Sequence, residues 1–287
     1  MDVSVCIVNL NAKQHLASCL NLLPESLGSY SYEVIIVDNH SQDGSQEFIQ
    51  QEYPGFHLLV NYRNEGYTRA INSAIRVSRG DYLAVLNPDS EPGPNSISTL
   101  IKFLKMNDNI GIVGPKVIAS DGSFQRSCRR GVARPAAVFS YFLGLAKRYP
   151  NDQRFTGYHL NHLDENEINE VSGVSGSCMV IRRKILKDIG YFDEQFFAYQ
   201  EDSDYCLRAK ERGWKVYYNP HSIVKHIGGM GGANSVPMKA IFEWHHSYYK
   251  YYFKHFADDY SMIFNIFYSL AMVGKLIFAE GKYLIKQ

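Results

Sequence analysis

Two acidic sites carry the first chemical signal in this chain: Asp89, in Leu86-Asn87-Pro88-Asp89, and the pair Glu201-Asp202, which opens Glu201-Asp202-Ser203-Asp204. A carboxylate at a strand end can hold a hard divalent cation that shares itself with substrate phosphates. A carboxylate in the first turn of a helix is kept ionised by the helix dipole, and an ionised carboxylate can accept a proton. Asp38, at the end of VIIVDNHSQD, and His226 complete the set. Each has a plainer explanation alone: the acids at 201–204 complement a helix dipole, Asp38 caps a turn, and His226 packs or sits at the surface. Their order argues otherwise, because all stand at the edge of a strand or helix in a way compatible with one cleft.

The elements that position them alternate. Residues 3–8 and 34–37 are short apolar, β-branched runs read as buried strands. Between them Leu16, Cys19, Leu20 and Leu23 recur at helical spacing. Phe48, Ile49 and Tyr53 mark a second helix stopped by Pro54; residues 56–60 form a third strand. A helix from Gly66 buries Ala70, Ile71, Ala74 and Ile75, and residues 82–86 form a fourth strand. Such alternation requires right-handed crossovers and a largely parallel sheet covered on both faces, with ligands at the carboxyl ends of the strands. Three polar clusters fall there: Asp38 with Asn39, residues 64–69, and residues 87–91. The turn after the first strand, Asn9-Leu10-Asn11-Ala12, lacks the glycines of a dinucleotide-binding fingerprint, and no GxxxxGK[ST] occurs.

Beyond Asp89 the spacing predicts a helix with Ile97, Leu100, Ile101 and Leu104 buried, then strands over 111–117 and 177–181. Residues 121–170 read as an inserted or mobile segment, whose arginines 126, 129, 130 and 134 either solvate a loop, the favoured reading, or line a path for the acceptor phosphate. A helix from Glu201 stops at Gly213, and two separate strands follow over 214–218 and 223–226. The glycine-rich run 228–232 reads as a lid. From about residue 236 the chain becomes aromatic and basic, then broadly apolar. Ser261, Asn265, Ser269 and Lys275 interrupt the apolar run, which suits a helix lying in a membrane interface better than one crossing it. Packing on the domain or on a second subunit is the alternative.

At 287 residues and 45% hydrophobic content the chain can build a full core. A net charge of +1 gives no field to recruit nucleic acid. Five scattered cysteines fit a reducing cytosol, and the early first strand leaves no room for a secretory signal, so a cytoplasmic protein is expected.

Five motifs in order resemble glycosyltransferase family 2: VIIVDNHSQDGS, the block NEGYTRAIN at 64–72, Asn87-Pro88-Asp89, Ser175-Gly176-Ser177-Cys178-Met179, and the stretch from Phe192-Asp193-Glu194 to Arg208. The resemblance covers roughly residues 2–230 and is strongest to the bacterial rhamnosyltransferase-like branch. It implies an α/β GT-A fold, a Rossmann-like and mostly parallel sheet flanked by helices. The expected catalytic domain is 1–235, with a nucleotide-sugar half to about 118 and an acceptor half over 119–235, followed by a helical membrane-associating extension, 236–287. It implies inverting transfer, with L-rhamnose from dTDP-L-rhamnose as leading donor and UDP-Gal, UDP-GlcNAc or UDP-Glc as alternatives, to a lipid-linked saccharide on the inner face of the bacterial plasma membrane. A non-catalytic nucleotide-sugar-binding subunit is the other reading, and a homo-oligomer is compatible with both. By the same resemblance, Asp38 and Asn9 meet the nucleotide, and Asn64, Gly66, Arg69, Asn87 and Gly176 line the donor site. Asp89 and His226 hold Mg²⁺ or Mn²⁺, and Asp202 with Glu201 is catalytic. Asn87 stands where the DxD pattern has its first acid, and an amide is the weaker metal ligand.

Overall fold

The computed structural model describes residues 1–150, 152–229 and 236–285. Strands β1 (Val3–Asn9), β2 (Tyr32–Asp38), β3 (His57–Val60) and β4 (Tyr82–Leu86) alternate with helices α1 (Lys13–Leu27), α2 (Ser45–Glu52) and α3 (Tyr67–Val77), as the periodicity predicts. Both faces of these strands are apolar. Val3, Val5 and Ile7 of β1 enter one core with Val34 and Ile36; Cys6 and Val8 enter the opposite core with Ile35 and Val37. Period-2 alternation with apolar residues at both parities is what a sheet covered on two sides requires.

After β4 come β5 (Ser90–Pro92), α4 (Ser96–Met106) and β6 (Ile110–Ile118), then the short β7 (Arg129–Arg130), α5 (Pro135–Phe142), α6 (Leu145–Arg148), α7 (Gln153–Thr156), β8 (Asn169–Glu170) and β9 (Gly173–Val174). The chain continues through β10 (Cys178–Arg182), α8 (Leu186–Ile189), α9 (Glu201–Glu211) and β11 (Lys215–His226) to α10 (Pro237–His255) and α11 (Met262–Ile285). The main sheet runs β3-β2-β1-β4-β10-β6-β11-β5, with β8 beside β11. Strands β3 to β4 are mutually parallel, as are β6 and β11, and β10 lies antiparallel between the two groups.

Two expectations are corrected and one strand is added. The strands expected over 214–218 and 223–226 are one strand, β11, with a register irregularity between Asn219 and Ile223. The three-residue β5, too short to show a pattern, pairs with the end of β11. The segment 121–170 is folded rather than a solvated loop in its described residues. Arg129 and Arg130 are buried: Arg129 donates to the carbonyls of Leu163 and Asp164, both at 2.6 Å, and lies over the Tyr218 ring. Arg126 and Arg134 are exposed, as expected for a loop. Of the anticipated lid, residues 230–232 lie outside the described residues; Gly228 and Gly229 take left-handed φ of 81° and 73°.

A third core joins distant segments: Ala133, Val138 and Tyr158 pack with Phe196, with Tyr248, Tyr251 and Tyr252 of α10, and with Tyr268 and Met272 of α11. Helix α10 is therefore a wall of the domain. Its Lys254 and His255 pair with the buried Asp204 of α9, His255 at 2.8 Å, and its Ser247 donates to the Ala198 carbonyl at 2.7 Å. Helix α11 differs. Only Tyr268 and Met272 of its 24 residues are buried, and Ile263, Leu270 and Phe278 are 81%, 68% and 72% exposed. Two of the polar residues that interrupt its apolar run turn inward: Asn265 bonds the Ala257 carbonyl at 3.0 Å and meets Tyr252, and the Lys275 ammonium lies 4.1 Å from the Phe142 and Trp244 rings. Its outer face is apolar, and by length and composition the helix is long enough to cross a membrane. All five cysteines are free and buried, and burial pushes each thiol up.

Candidate functional site

The ends of β1, β2 and β4 open into a cleft of about 560 Å³, whose far wall comes from α9, α10 and the segment around Arg130 and Tyr158. Pairing delivers its acids. Antiparallel β10 places Cys178 opposite Leu86, so Ser177 accepts from the Asn87 amide at 3.0 Å, and residues 175–177 lie against the turn that carries Asp89. Pairing of β5 with β11 sets His226 opposite Ser90 and brings its Nε2 to 3.2 Å from Asp89 Oδ1. Strand pairing makes the two residues neighbours although their numbers are far apart.

The histidine is oriented from behind. Gln125 donates from Nε2 to the His226 carbonyl at 2.6 Å, which turns Gln125 Oε1 toward His226 Nδ1 at 3.1 Å. With Nδ1 engaged by Gln125, Nε2 is the ring atom that faces the Asp89 carboxylate. A nitrogen and a carboxylate oxygen at 3.2 Å share either a proton or a cation. Among the described residues no group of three His, Cys, Asp or Glu surrounds a common point. The pair therefore fits an ion that takes its remaining ligands from amide and substrate oxygens, the habit of Mg²⁺ and its relatives.

At the opposite wall, Tyr199 and Gln200 adopt left-handed φ of 68° and 60° immediately before α9 and turn Glu201 and Asp202 into the cleft. Asp202 is buried. Its Oδ2 accepts from Arg130 and from the Gly176 amide at 2.9 Å, and its Oδ1 accepts from the Ser203 amide at 2.6 Å. Gly176 lies directly against both acids: a Cβ there would be in ordinary contact with Asp202 Oδ2 and Glu201 Oε1, each at 3.7 Å. Glu201 corrects an expectation. The helix dipole does not keep it ionised: burial, with the Asp202 charge beside it, pushes it up to about 8 against the pull of Arg130. Its surroundings favour the protonated carboxyl.

The structure brings Asn64, Asn87, Asp89, Gly176, Glu201, Asp202 and His226 to this one cleft. Other anticipated residues stand behind it. Asp38 is fully buried and accepts from Ser41 N at 2.9 Å, Gln46 Nε2 at 2.8 Å and Asn9 Nδ2 at 3.0 Å, while its neighbour Asn39 faces the cleft. Asn9 is likewise fully buried. Gly66 caps α3 with φ 89°, and a Cβ there would lie 2.6 Å from the Phe197 carbonyl. Arg69 is half-exposed and pairs with Glu194 at 3.7 Å, outside the cleft. Sequence reasoning missed Arg130, which pairs with Asp202, and the aromatic wall of Tyr158, Trp244 and Tyr248, in which the Tyr158 and Tyr248 hydroxyls share a hydrogen bond. The cluster of arginines was the available signal for the first; nothing local marks the second.

The glycosyl transferase family 2 model matches residues 4–190. The chain belongs to glycosyltransferase family 2. A further model, glycosyl transferase family group 2, matches residues 152–231. The chain is 32% identical over 204 residues, 67% of its length, to an N-acetylglucosaminyl-diphospho-decaprenol L-rhamnosyltransferase of Mycobacterium tuberculosis, and spans 66% of that protein. It is 25% identical over 219 residues to the low-salt glycan biosynthesis hexosyltransferase Agl10 of Haloferax volcanii, covering 75% of this chain and 64% of that one. Among solved structures, the mannosyltransferase PcManGT of Pyrobaculum calidifontis, in complex with GDP-Man and Mn²⁺, superposes with a TM-score of 0.57 at 15% identity, covering 88% of this chain and 64% of that one. GalNAc-T7 with UDP, GalNAc and Mn²⁺ gives 0.54 at 17% identity, covering 79% and 43%. At such identities the likeness speaks for the fold, and the fold is GT-A.

Proposed function

We propose that this chain is an inverting glycosyltransferase that moves a sugar from a nucleoside diphosphate to a hydroxyl of a lipid-linked saccharide. L-rhamnose from dTDP-L-rhamnose is the leading donor, and the setting is bacterial surface polysaccharide synthesis. The observation that carries the reading is the shared cleft: the Asp89–His226 pair and the Asp202 carboxylate face one space of a size suited to a ligand of this class. The mycobacterial relative, named for a rhamnosyl donor and a lipid-diphosphate acceptor, supports the finer assignment.

Asp202 accepts the proton of the attacking hydroxyl while Arg130, Gly176 and Ser203 fix its orientation. Attack from the face opposite the departing diphosphate inverts the anomeric carbon in one displacement and needs no covalent intermediate. Asp89 and His226 would hold Mg²⁺ or Mn²⁺, which when bound neutralises charge on the leaving diphosphate. Asn39, Asn64 and Asn87 supply amides on the nucleotide side, where Asp38 and Asn9 act by shaping the turn. The apolar outer face of α11 rests in the cytoplasmic leaflet and keeps the cleft near a lipid-borne acceptor.

Incubating the protein with a panel of nucleotide-sugars, Mn²⁺ and a short-chain polyprenyl-diphosphate N-acetylglucosamine tests this reading. It requires released nucleoside diphosphate and, by NMR, a product of inverted anomeric configuration. Donor binding without product under every condition would favour a non-catalytic subunit instead.

A further inference from the structure

Three polar atoms beside Asp202 are sealed from solvent and have no hydrogen-bond partner among the described residues: Glu201 Oε2, Gln200 Oε1 and the Tyr67 phenol oxygen. All three residues line the cleft. Leaving a buried polar atom unmatched costs free energy, and three such atoms on one wall point to a ligand that brings its own hydroxyls. The left-handed turn at Tyr199 and Gln200 is a conformation that non-glycine residues take rarely, and it is what sets Gln200 and Glu201 on this wall.

The two adjacent carboxyls are served unequally. Asp202 accepts from a guanidinium and two backbone amides, whereas Glu201 Oε2 receives nothing from the described residues. We propose that the Glu201 carboxyl and the Tyr67 hydroxyl donate to a sugar hydroxyl that in turn donates to the Gln200 carbonyl, next to the proton-accepting Asp202, and that this set determines which sugar is held there. This rests on the glycosyltransferase reading above. The surroundings of Glu201 agree: Asp202 and Asp204 on its own helix disfavour its charge, and Arg130 from β7, which favours it, is engaged by Asp202. Tyr67 from α3 is a phenol that burial, and then Glu201, push well above its ordinary value. A protonated acid and a phenol donate, and the Gln200 carbonyl accepts, which matches a hydroxyl that both accepts and donates.

Carboxyl-carbon NMR of the full chain labelled with ¹³C-glutamate, with the Glu201 resonance assigned by its loss in Glu201→Gln, tests the protonation without any substrate. The resonance is expected to stay protonated through neutral pH and titrate at about 8; ionisation in the ordinary carboxylate range would overturn the proposal. Stability offers a linked readout. Folded Glu201 keeps its proton above the pH at which the unfolded chain releases it, so wild-type stability falls as pH rises from the ordinary glutamate range to about 8. Glu201→Gln, which cannot ionise, is expected to gain in Tm relative to wild type across that window and hold the gain above it.

In transfer assays with dTDP-L-rhamnose and the polyprenyl-diphosphate acceptor, Glu201→Gln is expected to lose about tenfold in kcat/KM and Glu201→Ala about a hundredfold. Tyr67→Phe should lose a few-fold. A Glu201→Gln enzyme as inactive as Asp202→Asn would make Glu201 a working base and defeat this proposal while leaving the transferase reading intact. Wild-type protein that transfers no sugar defeats that reading instead, and the NMR titration still decides the state of Glu201.

Discussion

At the sheet end of the cleft, Asn39, Asn64 and Asn87 follow β2, β3 and β4 within a few residues, and Asp89 lies two residues beyond Asn87. At the helical end, Arg130, Tyr158, Asp202 and Tyr248 come from β7, the segment after α7, α9 and α10, and meet only because the chain folds back on itself. The first end is assembled by local strand-to-turn geometry, which places polar groups at strand termini whatever the rest of the chain does. The second is assembled by tertiary packing around the third aromatic core. The sheet end should therefore survive lesions that empty the helical end, and the converse should also hold.

Asp202→Asn gives the widest separation: transfer should fall by about 10³-fold, in the range of a lost general base, while isothermal titration shows donor affinity retained. Coupled loss of donor binding would join the two ends into one unit. Arg130→Met leaves the Asp202 carboxylate buried without its cation, at a cost of about 3–5 kcal/mol, so denaturant melts should shift markedly and transfer should fall with them. Asp38→Asn at the other end retains size and position and should be milder.

His226→Ala removes half of the Asp89 pair, and the Mn²⁺ concentration for half-maximal activity is expected to rise about 10–100-fold with little change in Tm. An unaltered metal requirement would argue that Asp89 and His226 form only an ion pair. The smallest effect on chemistry belongs to α11: Ile263→Glu with Leu270→Glu on its exposed face should reduce flotation with anionic liposomes while transfer to a water-soluble acceptor stays level. Equal flotation of both proteins would put the membrane contact elsewhere.

How much could be read in advance follows the same division. The β1–β4 units, the buried face of α4 and the positions of Asp89, Asp202 and His226 at element edges were legible, because each is written in local periodicity. The pairing of Arg130 with Asp202 was not, since a run of arginines reads equally well as a solvated loop until a partner is known. The docking of α10 was hidden for a related reason. Tyr248, Tyr251 and Tyr252 look alike whether they face lipid or protein, and only the core formed with Tyr158 and Phe196 decides it. Glu201 was misjudged because dipole arguments apply to exposed helix ends, and desolvation outweighs the dipole once the carboxyl is sealed in.

The burial of every cysteine has a practical consequence. Thiols shielded from water and pushed up in pKa react slowly with maleimides and iodoacetamide, so the native chain is nearly silent to such reagents. A cysteine introduced on the outside of α11, as in Ile266→Cys, would dominate the labelling and carry a fluorophore or spin probe alone. Stepping that label along the helix would give an immersion depth at each position and separate a helix lying flat from one that crosses the bilayer.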